Sequence, residues 1–407
     1  MSGAVPGRPI LVVAMPNSVH AANWIRMVRG TWPVVLLPVN RGAVVPELGE
    51  TWAVRSADDL AAMPAGAVGL WCADPQRDEL APDDLPAPLG YPDRDLIVRG
   101  ATVARAVEAL RPLLVHSLEV QHAGYACLAA HLRLGDAFPR WLLSNWGSDV
   151  YFYARLAEHV PVLRAVAERI DAALNECGRD AVLFRDLGYD GPILPPQPAS
   201  GGIDFDRLRG LGALSPPSTR KLILVKGYHG WAGRALHALS AIHLAAADLG
   251  AYRIRILLAF PEVARMASLF AAANGLDIAP EPWRPDHDAA VRRMAEARMI
   301  VACGISDGIG TTLLEAMALG AWPIVSDTCC AREWLEPGRD GHVGSPHDIA
   351  GMAEAIRRAA TDDALVDAAA PRNRATVESR WDVAANGARA REIYRGLIGA
   401  GEGPAAP

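Results

Sequence analysis

The sequence predicts two doubly wound α/β domains in tandem, each with a parallel sheet covered by helices on both faces. Short, almost wholly apolar β-like runs alternate with amphipathic helical stretches, a segment rich in Pro, Gly and Ser at residues 195–220 interrupts them, and a second α/β series follows. Apolar strands separated by helices are typical of parallel sheets that are buried on both faces.

Length, composition and charge agree with this fold class. A chain of 407 residues is long enough for two cores, and 51% hydrophobic with 21% charged residues is typical of a globular protein. The formal net charge of -6 argues against a nucleic-acid partner, which requires a basic face. The first apolar run, residues 10–15, is too short for a signal peptide or a membrane span. We therefore expect a cytoplasmic protein, with peripheral contact at the inner face of the membrane left open.

The elements alternate regularly along both halves. Strands are predicted at residues 10–14, 34–39, 68–72, 113–117, 141–145 and 172–176, then at 222–226, 253–259, 299–304 and 323–327. Helices are predicted at residues 101–110, 122–132, 234–247, 262–274 and 286–297, and the chain after residue 348 is predicted to be helical to residue 396. Ligands of doubly wound sheets bind beyond the carboxyl ends of the strands, so we expect the site in a cleft between the two sheets.

A glycine turn after the predicted strand at 299–304 is a candidate anion site. The stretch "SDGIGTTLLEAMALG" leads from that strand into a helix that begins near Thr312 and ends before Gly320. Backbone N–H groups at such a turn and at a helix start bind phosphate groups. The candidate ligand-binding residues of this turn are Gly308, Ile309, Gly310, Thr311 and Thr312.

Two acids accompany the turn, and each has a simpler explanation. Glu315 completes an S/T-x-x-E capping box with Thr312, in which it only satisfies the helix start. Asp307 fits an ordinary turn position. From the residues alone, both alternatives stay open.

A second glycine-rich turn, "VKGYHGWAGR", follows the predicted strand at 222–226. It carries Lys226, Gly230 and Arg234 but does not match G-x-G-x-x-G, so a dinucleotide fingerprint is excluded. Only two of the 40 basic residues are lysines, which makes Lys226 conspicuous in a chain that otherwise uses arginine. Two cations here are suited to grip the phosphates of a nucleoside diphosphate, although a solvated lysine and a surface arginine remain the alternative.

Together the two turns resemble a known family. "DGIGTTLLEAMALGAWPIVSD" and the following "REWLEPGRDGHVGSPHDIAGMAEAI" are similar to the signature of the retaining GT-B glycosyltransferases of family 4, over roughly residues 220–360. The resemblance implies a GT-B fold, with two Rossmann-like domains facing across a cleft, and a nucleotide-diphosphate sugar as donor. It implies that Glu315 binds the donor ribose and that Asp307 lies beside the sugar and its phosphates. Ile309 stands where the family usually has an aromatic residue, and Lys226 and Arg234 match the paired cations in type, at an unusual spacing.

The resemblance also implies roles in the first half. It implies an acceptor loop after the first strand, where Asn17, Ser18 and His20 supply polar groups, and a donor-facing His116 at a strand end. "SNWGSDVY" is similar to a family loop in which Asp149 contacts acceptor or donor hydroxyls. A strand-end histidine is otherwise usually structural, and an aspartate before a helix often only caps it.

Two further segments follow from the resemblance. "EPWRPDHDAAVRRM" lies where the family's nucleobase loop falls, which makes Arg284 a candidate contact. "RWDVAANGARAREIY" is similar to the helix that returns to the first domain in GT-B folds. The implied division is an acceptor-side domain at residues 1–205, joined by a helix at about 380–398, and a donor domain at residues 206–379.

These expectations combine into a metal-independent, retaining glycosyltransferase that acts on a glycan, lipid-linked or small-molecule acceptor. No group of Asp, Glu and His with metal-ligand spacing is found in the sequence, so neither a metal nor another obligatory cofactor is predicted. Two alternatives remain: a GT-B sugar-nucleotide epimerase or hydrolase, and a catalytically degenerate protein that binds sugar nucleotides as a partner subunit.

Overall fold

The computed structural model describes residues 7–72, 100–210, 214–281 and 287–399. Its contacts divide the chain into two compact units: the residues up to Gly202 together with those from Val383, and the unit Ile203–Asp382. Each unit is built around one parallel sheet, so the predicted pair of Rossmann-like α/β domains is confirmed.

The strands are short and mostly buried. In chain order they are β1 (Ile10–Ala14), β2 (Val34–Pro38), β3 (Thr51–Val54), β4 (Val68–Trp71), β5 (Leu114–Leu118), β6 (Trp141–Ser144), β7 (Ala172–Leu174), β8 (Ile193–Leu194), β9 (Leu222–Lys226), β10 (Arg253–Leu257), β11 (Asp277–Pro280), β12 (Ala297–Ala302), β13 (Trp322–Ser326) and β14 (His342–Gly344).

Helices follow most strands and cover both sheets. In chain order they are α1 (Val19–Val28), α2 (Ala57–Ala61), α3 (Gly100–Leu110), α4 (Tyr125–Leu134), α5 (Ser148–Tyr151), α6 (Val160–Ala167), α7 (Gly178–Asp186), α8 (Phe205–Arg209), α9 (Ala235–Leu244), α10 (Pro261–Asn274), α11 (His287–Ala295), α12 (Thr311–Ala318), α13 (Ile349–Thr361), α14 (Asp363–Trp381) and α15 (Val383–Gly399). In the part of the chain that the structure describes, no helix is both long and apolar enough to cross a bilayer.

Both sheets wind outwards in two directions from a central pair of strands. The first has the order β3-β4-β2-β1-β5-β6-β7-β8 and the second β11-β10-β9-β12-β13-β14, with parallel pairing throughout. The winding direction reverses between β1 and β5 and between β9 and β12. Ligands of open α/β sheets bind at the carboxyl ends of the strands beside such a switch point.

The four strands that the sequence did not predict are β3, β8, β11 and β14, which are the edge strands of the two sheets. An edge strand is paired on one side only and is often short, so it lacks the long apolar run of a central strand. Three of the four residues of β3 are exposed, for example, whereas all five of β1 are buried.

The last helix, α15, is grouped with the N-terminal unit, where it packs against α1. Its Tyr394 is fully buried, and its hydroxyl accepts a hydrogen bond from the indole Nε1 of Trp24 at 2.8 Å. The main chain of Met27 is bound in turn by the Arg391 guanidinium at 2.9 Å. These contacts fix the end of the chain to the first helix.

Candidate functional site

The switch point of the second sheet brings a cation and a carboxylate together. Lys226 ends β9, and Asp307 lies on the loop that follows the neighbouring strand β12. The Lys226 Nζ and Asp307 Oδ2 atoms are 4.0 Å apart, and the two side chains are 33% and 40% exposed. A pair this loose and this exposed contributes little to stability, and both groups remain accessible to a ligand.

The loop after β12 is held in place by its neighbours. The amide of Ile305 donates to the carbonyl of Ala232 at 2.8 Å, which ties this loop to the glycine-rich loop after β9. The amide of Gly304 donates to Ser326 Oγ at 2.7 Å, and Thr328 Oγ1 donates to the Gly304 carbonyl at 2.6 Å. The loop therefore has a defined shape before any ligand binds.

Helix α12 begins at the end of this loop. Gly310 is its N-cap and supplies no side-chain bond, and the helix starts at Thr311. The first amides of a helix, here those of Thr311 and Thr312, have no carbonyl partner within the helix, and they carry the positive end of its dipole. A Cβ at Gly310 would lie 3.3 Å from Asp307 Oδ2, so the helix start directly adjoins the Lys226–Asp307 pair. This is the geometry that binds an anion.

Glu315 lies inside α12 and does not cap it. A capping box would need Thr312 as the N-cap, whereas Gly310 occupies that position. The Glu315 side chain is buried, and burial raises its pKa to about 7, while the Lys226 ammonium acts in the opposite direction. A buried carboxyl group that can accept or donate a hydrogen bond near neutral pH therefore lies within the electrostatic reach of Lys226.

The residues of the glycine turn differ in how deeply they are buried. Ile309 is 3% exposed and belongs to the core around α12, so its side chain is committed to packing. Gly308 is also buried, and its carbonyl accepts a hydrogen bond from the Cys330 amide at 2.8 Å. Only the backbone of these two residues is suited to meet a ligand, in contrast to the half-buried Thr311 and Thr312.

Arg234 is placed differently from what the paired-cation prediction suggests. It is the N-cap of α9, and its guanidinium Nη1 donates to the carbonyls of Gly233 at 2.6 Å, Trp231 at 3.2 Å and Gly230 at 3.4 Å. The side chain thus braces the glycine-rich loop from within. Lys226 is left as the cation of this turn that is paired with Asp307.

In the N-terminal unit, His116 is an interior residue. It lies on β5 with no exposed surface, and its Nδ1 and Nε2 atoms are each 2.8 Å from a hydroxyl, those of Tyr394 and Ser144. Burial lowers its pKa to about 3. An imidazole that is neutral, buried and hydrogen-bonded through both ring nitrogens is a structural group. This placement disfavours the predicted contact of His116 with a sugar.

The loop after β1 presents the three predicted acceptor-side residues in different roles. Ser18 is the N-cap of α1 and accepts the amide hydrogen bond of Ala21 at 3.3 Å. Asn17 is exposed, and His20 packs edge-on against Trp146, with ring centroids 5.5 Å apart. Asn17 therefore lies at the surface, His20 packs against an aromatic ring, and Ser18 caps the helix.

Asp149 lies after β6 and is buried beside a second carboxylate. Its Oδ2 accepts hydrogen bonds from the amides of Val120 at 3.2 Å and Trp146 at 3.0 Å. Burial first, and the charge of Glu119 second, raise the pKa of Asp149 to about 7. Glu119 has a left-handed backbone, φ 77°, and its side chain caps the π-helical turn that follows β5. The sequence gives no signal for Glu119, because a glutamate after a strand is usually a surface residue.

Arg284, the predicted nucleobase contact, lies outside the described residues, so the structure neither supports nor opposes it.

Comparison with known proteins finds a family match over part of the second unit. Residues 282–376 match the family model of the Glycosyl transferases group 1. The matched segment includes the loop after β12 and the whole of α12, and therefore Asp307 and Glu315. No curated protein matches the sequence significantly.

Several solved structures are similar to most of this chain, and their similarity concerns its fold. A sucrose-phosphate synthase from Thermosynechococcus elongatus has a TM-score of 0.68 at 16% identity, covering 97% of this chain and 100% of that one. The Anabaena protein HepE, in complex with UDP-glucose, has a TM-score of 0.65 at 14% identity, covering 95% and 99%. The pneumococcal O-GlcNAc transferase GtfA, in complex with UDP and GlcNAc, has a TM-score of 0.58 at 14% identity, covering 74% and 60%. The chain therefore has the GT-B fold.

Proposed function

We propose that the protein is a retaining glycosyltransferase of the family 4 type, which moves a sugar from a nucleotide-diphosphate sugar to an acceptor hydroxyl. The observation that carries the proposal is the position of Lys226, 4.0 Å from Asp307 on the loop that leads into α12. A cation and a helix start at a switch point form a diphosphate site. The match to the Glycosyl transferases group 1 and the UDP-glucose complex of the similar Anabaena protein support the same ligand class.

In this mechanism the unit Ile203–Asp382 holds the donor. The diphosphate lies against the amides of Thr311 and Thr312, and the Lys226 ammonium stabilises the charge that builds on the departing phosphate. Asp307 orients the transferred sugar, and Glu315 accepts a hydrogen bond from a donor hydroxyl such as that of the ribose. Ammonium and helix amides supply the positive charge, so the proposed step requires no metal ion.

The chemical step exchanges one bond at the anomeric carbon for another. The bond to the diphosphate oxygen breaks while the acceptor oxygen bonds to the same carbon on the same face. The acceptor proton passes to the departing diphosphate, so no protein nucleophile is involved. The acceptor is a glycan, a lipid-linked sugar or a small molecule that the N-terminal unit binds. His116 has no role in this scheme, because its imidazole is fully buried and bonded.

A thermal-shift panel tests the donor site. UDP, GDP and ADP and their glucose conjugates are each added at increasing concentration. A ligand present at 100 times its Kd stabilises the folded protein by about 2.7 kcal/mol, so at least one of them should raise the Tm by several degrees. If none of the six compounds shifts the Tm at millimolar concentration, the proposal is wrong.

Product analysis tests the reaction. The proposal expects transfer to an acceptor with the donor's anomeric configuration kept, measured by NMR of the product. Rapid release of the free nucleotide without an acceptor would instead indicate a hydrolase or epimerase.

A second candidate, a sugar-nucleotide-binding partner subunit, is favoured by one observation. The Arg234 guanidinium is engaged with loop carbonyls, so one cation of the expected pair is not directed to a ligand. Nucleotide-dependent stabilisation without turnover across a panel of acceptors would support this candidate over the transferase.

A further inference from the structure

Leu258, the first residue after β10, combines an unfavourable backbone with an exposed apolar side chain. Its φ is 54°, in the left-handed region that bulky side chains rarely adopt, and 48% of its surface is exposed. Within the described ranges, only Arg111 and Glu119 share a positive φ without being glycine. An exposed leucine in this conformation adds little to folding, and strained residues of this kind are concentrated at functional sites.

The conformation of Leu258 is imposed by its surroundings. On one side of it, the Leu257 carbonyl accepts the amide hydrogen bond of Gly227 at 2.6 Å. On the other side, the Phe260 amide bonds the Gly227 carbonyl at 3.4 Å, and the Phe260 ring packs edge-on against Tyr228 at 5.3 Å. A Cβ at Gly227 would clash with this turn, because it would lie 2.7 Å from the Leu257 carbonyl. These contacts hold the loop after β9 and the loop after β10 together, and the Leu258 side chain is exposed at the surface.

The position of Leu258 relates it directly to the candidate diphosphate site. In the register of β9 and β10, Leu257 is the partner of Lys226, so Leu258 lies one residue beyond that partner at the same edge of the sheet. Neighbouring strands are about 4.8 Å apart. Since the strand order is β10-β9-β12, Leu258 lies on one side of Lys226 and the Asp307 loop with the α12 start lies on the other.

We propose that Leu258 is the apolar contact for the nucleoside of the donor. This inference rests on the proposed function and adds a residue that contacts the nucleoside. A nucleotide sugar has a charged diphosphate in its middle, a sugar at one end and a base with flat apolar faces at the other. The edge β10-β9-β12 presents the same order: an apolar side chain, a cation, and then a carboxylate at a helix start. Packing of the nucleoside on Leu258 also removes water from beside Lys226, which strengthens its attraction for phosphate.

The test compares a nucleoside diphosphate with inorganic pyrophosphate, which has the charged group but no nucleoside. UDP, GDP and ADP are titrated calorimetrically into the full-length protein, and pyrophosphate is titrated alone and as a competitor. For Leu258→Ala, we expect about tenfold weaker binding of the preferred nucleoside diphosphate, the size of loss expected when one apolar contact is removed. Pyrophosphate binding should stay within about twofold of wild type. Leu258→Phe, which keeps an apolar face, should bind the nucleotide about as well as wild type.

The results separate failure of this inference from failure of the proposed function. If wild type binds none of the three nucleotides, the proposed function and the inference both fail. If wild type binds one of them and Lys226→Ala removes that binding while Leu258→Ala leaves it unchanged, the site stands and the role of Leu258 is wrong. A loss in Leu258→Ala that is equal for nucleotide and pyrophosphate would also overturn the inference, because it would indicate a general disturbance of the loop.

Stability provides a readout that a purely structural role would not reproduce. Glycine adopts the left-handed backbone without strain, so Leu258→Gly should have a higher Tm than Leu258→Ala, while both lose the nucleotide to the same extent. Arg111→Gly is the matched control, because it relieves a similar backbone, φ 45°, away from this sheet edge and should leave nucleotide affinity unchanged. Recovery of nucleotide binding in Leu258→Gly would overturn the inference. It would show that nucleotide affinity depends on the backbone conformation of residue 258 and not on its side chain.

Discussion

The two sheets both carry polar residues in or just after their strands, but in different surroundings. In the second sheet, Lys226 and Asp307 lie at the β9/β12 switch point, about a third and two fifths exposed, and form only a loose 4.0 Å pair. In the first unit, His116 on β5 and Asp149 after β6 are buried, and both are engaged by hydrogen bonds to neighbouring groups. The polar residues are therefore partly exposed at the switch point of the second sheet and enclosed by hydrogen bonds in the first unit.

Lys226 and His116 differ in the part of the chain from which their partners come. Lys226 is paired with Asp307 from the loop after the neighbouring strand β12, and both side chains are partly exposed. The imidazole of His116 is instead covered by Tyr394 from the last helix, 278 residues later in the chain. If this contrast is correct, substitutions in the second sheet should affect nucleotide binding and those in the first should affect stability.

The largest effect is expected for Lys226→Ala. Loss of the cation that stabilises the departing phosphate should lower the transfer rate by about 10²- to 10³-fold, with an unchanged Tm in the absence of ligand. Lys221→Ala is the control, since it removes the only other lysine, whose ammonium lies 5.0 Å from the Tyr252 ring, at the other end of β9. The rates are measured as release of nucleoside diphosphate in the presence of acceptor. Near-normal turnover in Lys226→Ala would show that Lys226 does not act on the donor, and it would contradict the proposed difference between the two sheets.

His116→Ala tests the other side of the contrast. The substitution leaves a cavity, and the buried hydroxyls of Tyr394 and Ser144 lose their hydrogen bonds to the imidazole. The free energy of unfolding should therefore fall by about 3 kcal/mol. Urea denaturation measures this loss. His116→Gln, which keeps two polar atoms, should lose less. Nucleotide affinity should stay within about twofold for both variants, and a selective loss of affinity at normal stability would restore His116 to the donor site.

Much of this architecture could be predicted from the sequence, and the exceptions have physical causes. The central strands were found because burial on both faces requires apolar runs, whereas the edge strands carry no such pattern. The candidate anion turn could be proposed from the sequence because glycines, a strand end and a helix start are local features. The burial of His116 depends on Tyr394, and the left-handed backbone of Leu258 depends on the packing of Gly227, so neither is encoded in its own segment.

Glu315→Gln tests the contrast between the two sheets through the pH dependence of stability. The folded-state pKa of Glu315 is about 7, above its ordinary value of 4.5, so the unfolded chain releases this proton first as the pH rises. Wild-type stability should therefore fall between about pH 4.5 and 7, and Gln, which cannot ionise, avoids that loss. We expect Glu315→Gln to be more stable than wild type by about 2 kcal/mol at pH 8 and by much less at pH 5, measured by urea denaturation. It should also bind the nucleoside diphosphate about tenfold more weakly, which distinguishes it from a purely structural carboxyl.

The smallest effect on nucleotide affinity is expected for Asp149→Asn, which changes a buried acid of the N-terminal unit. Its pKa is also raised to about 7, by burial and by the charge of Glu119, so the same window of falling stability applies as the pH rises from about 4 to 7. The Asn oxygen can still accept the amide hydrogen bonds of Val120 and Trp146. The variant should therefore gain stability relative to wild type as the pH rises from 5 to 8, by an amount comparable to that of Glu315→Gln, measured by urea denaturation. Unlike Glu315→Gln, Asp149→Asn should leave nucleotide affinity unchanged, because its carboxylate already has its partners within the N-terminal unit. A tenfold loss of nucleotide affinity in this variant would mean that both sheet edges contribute to donor binding, and the contrast between them would no longer hold.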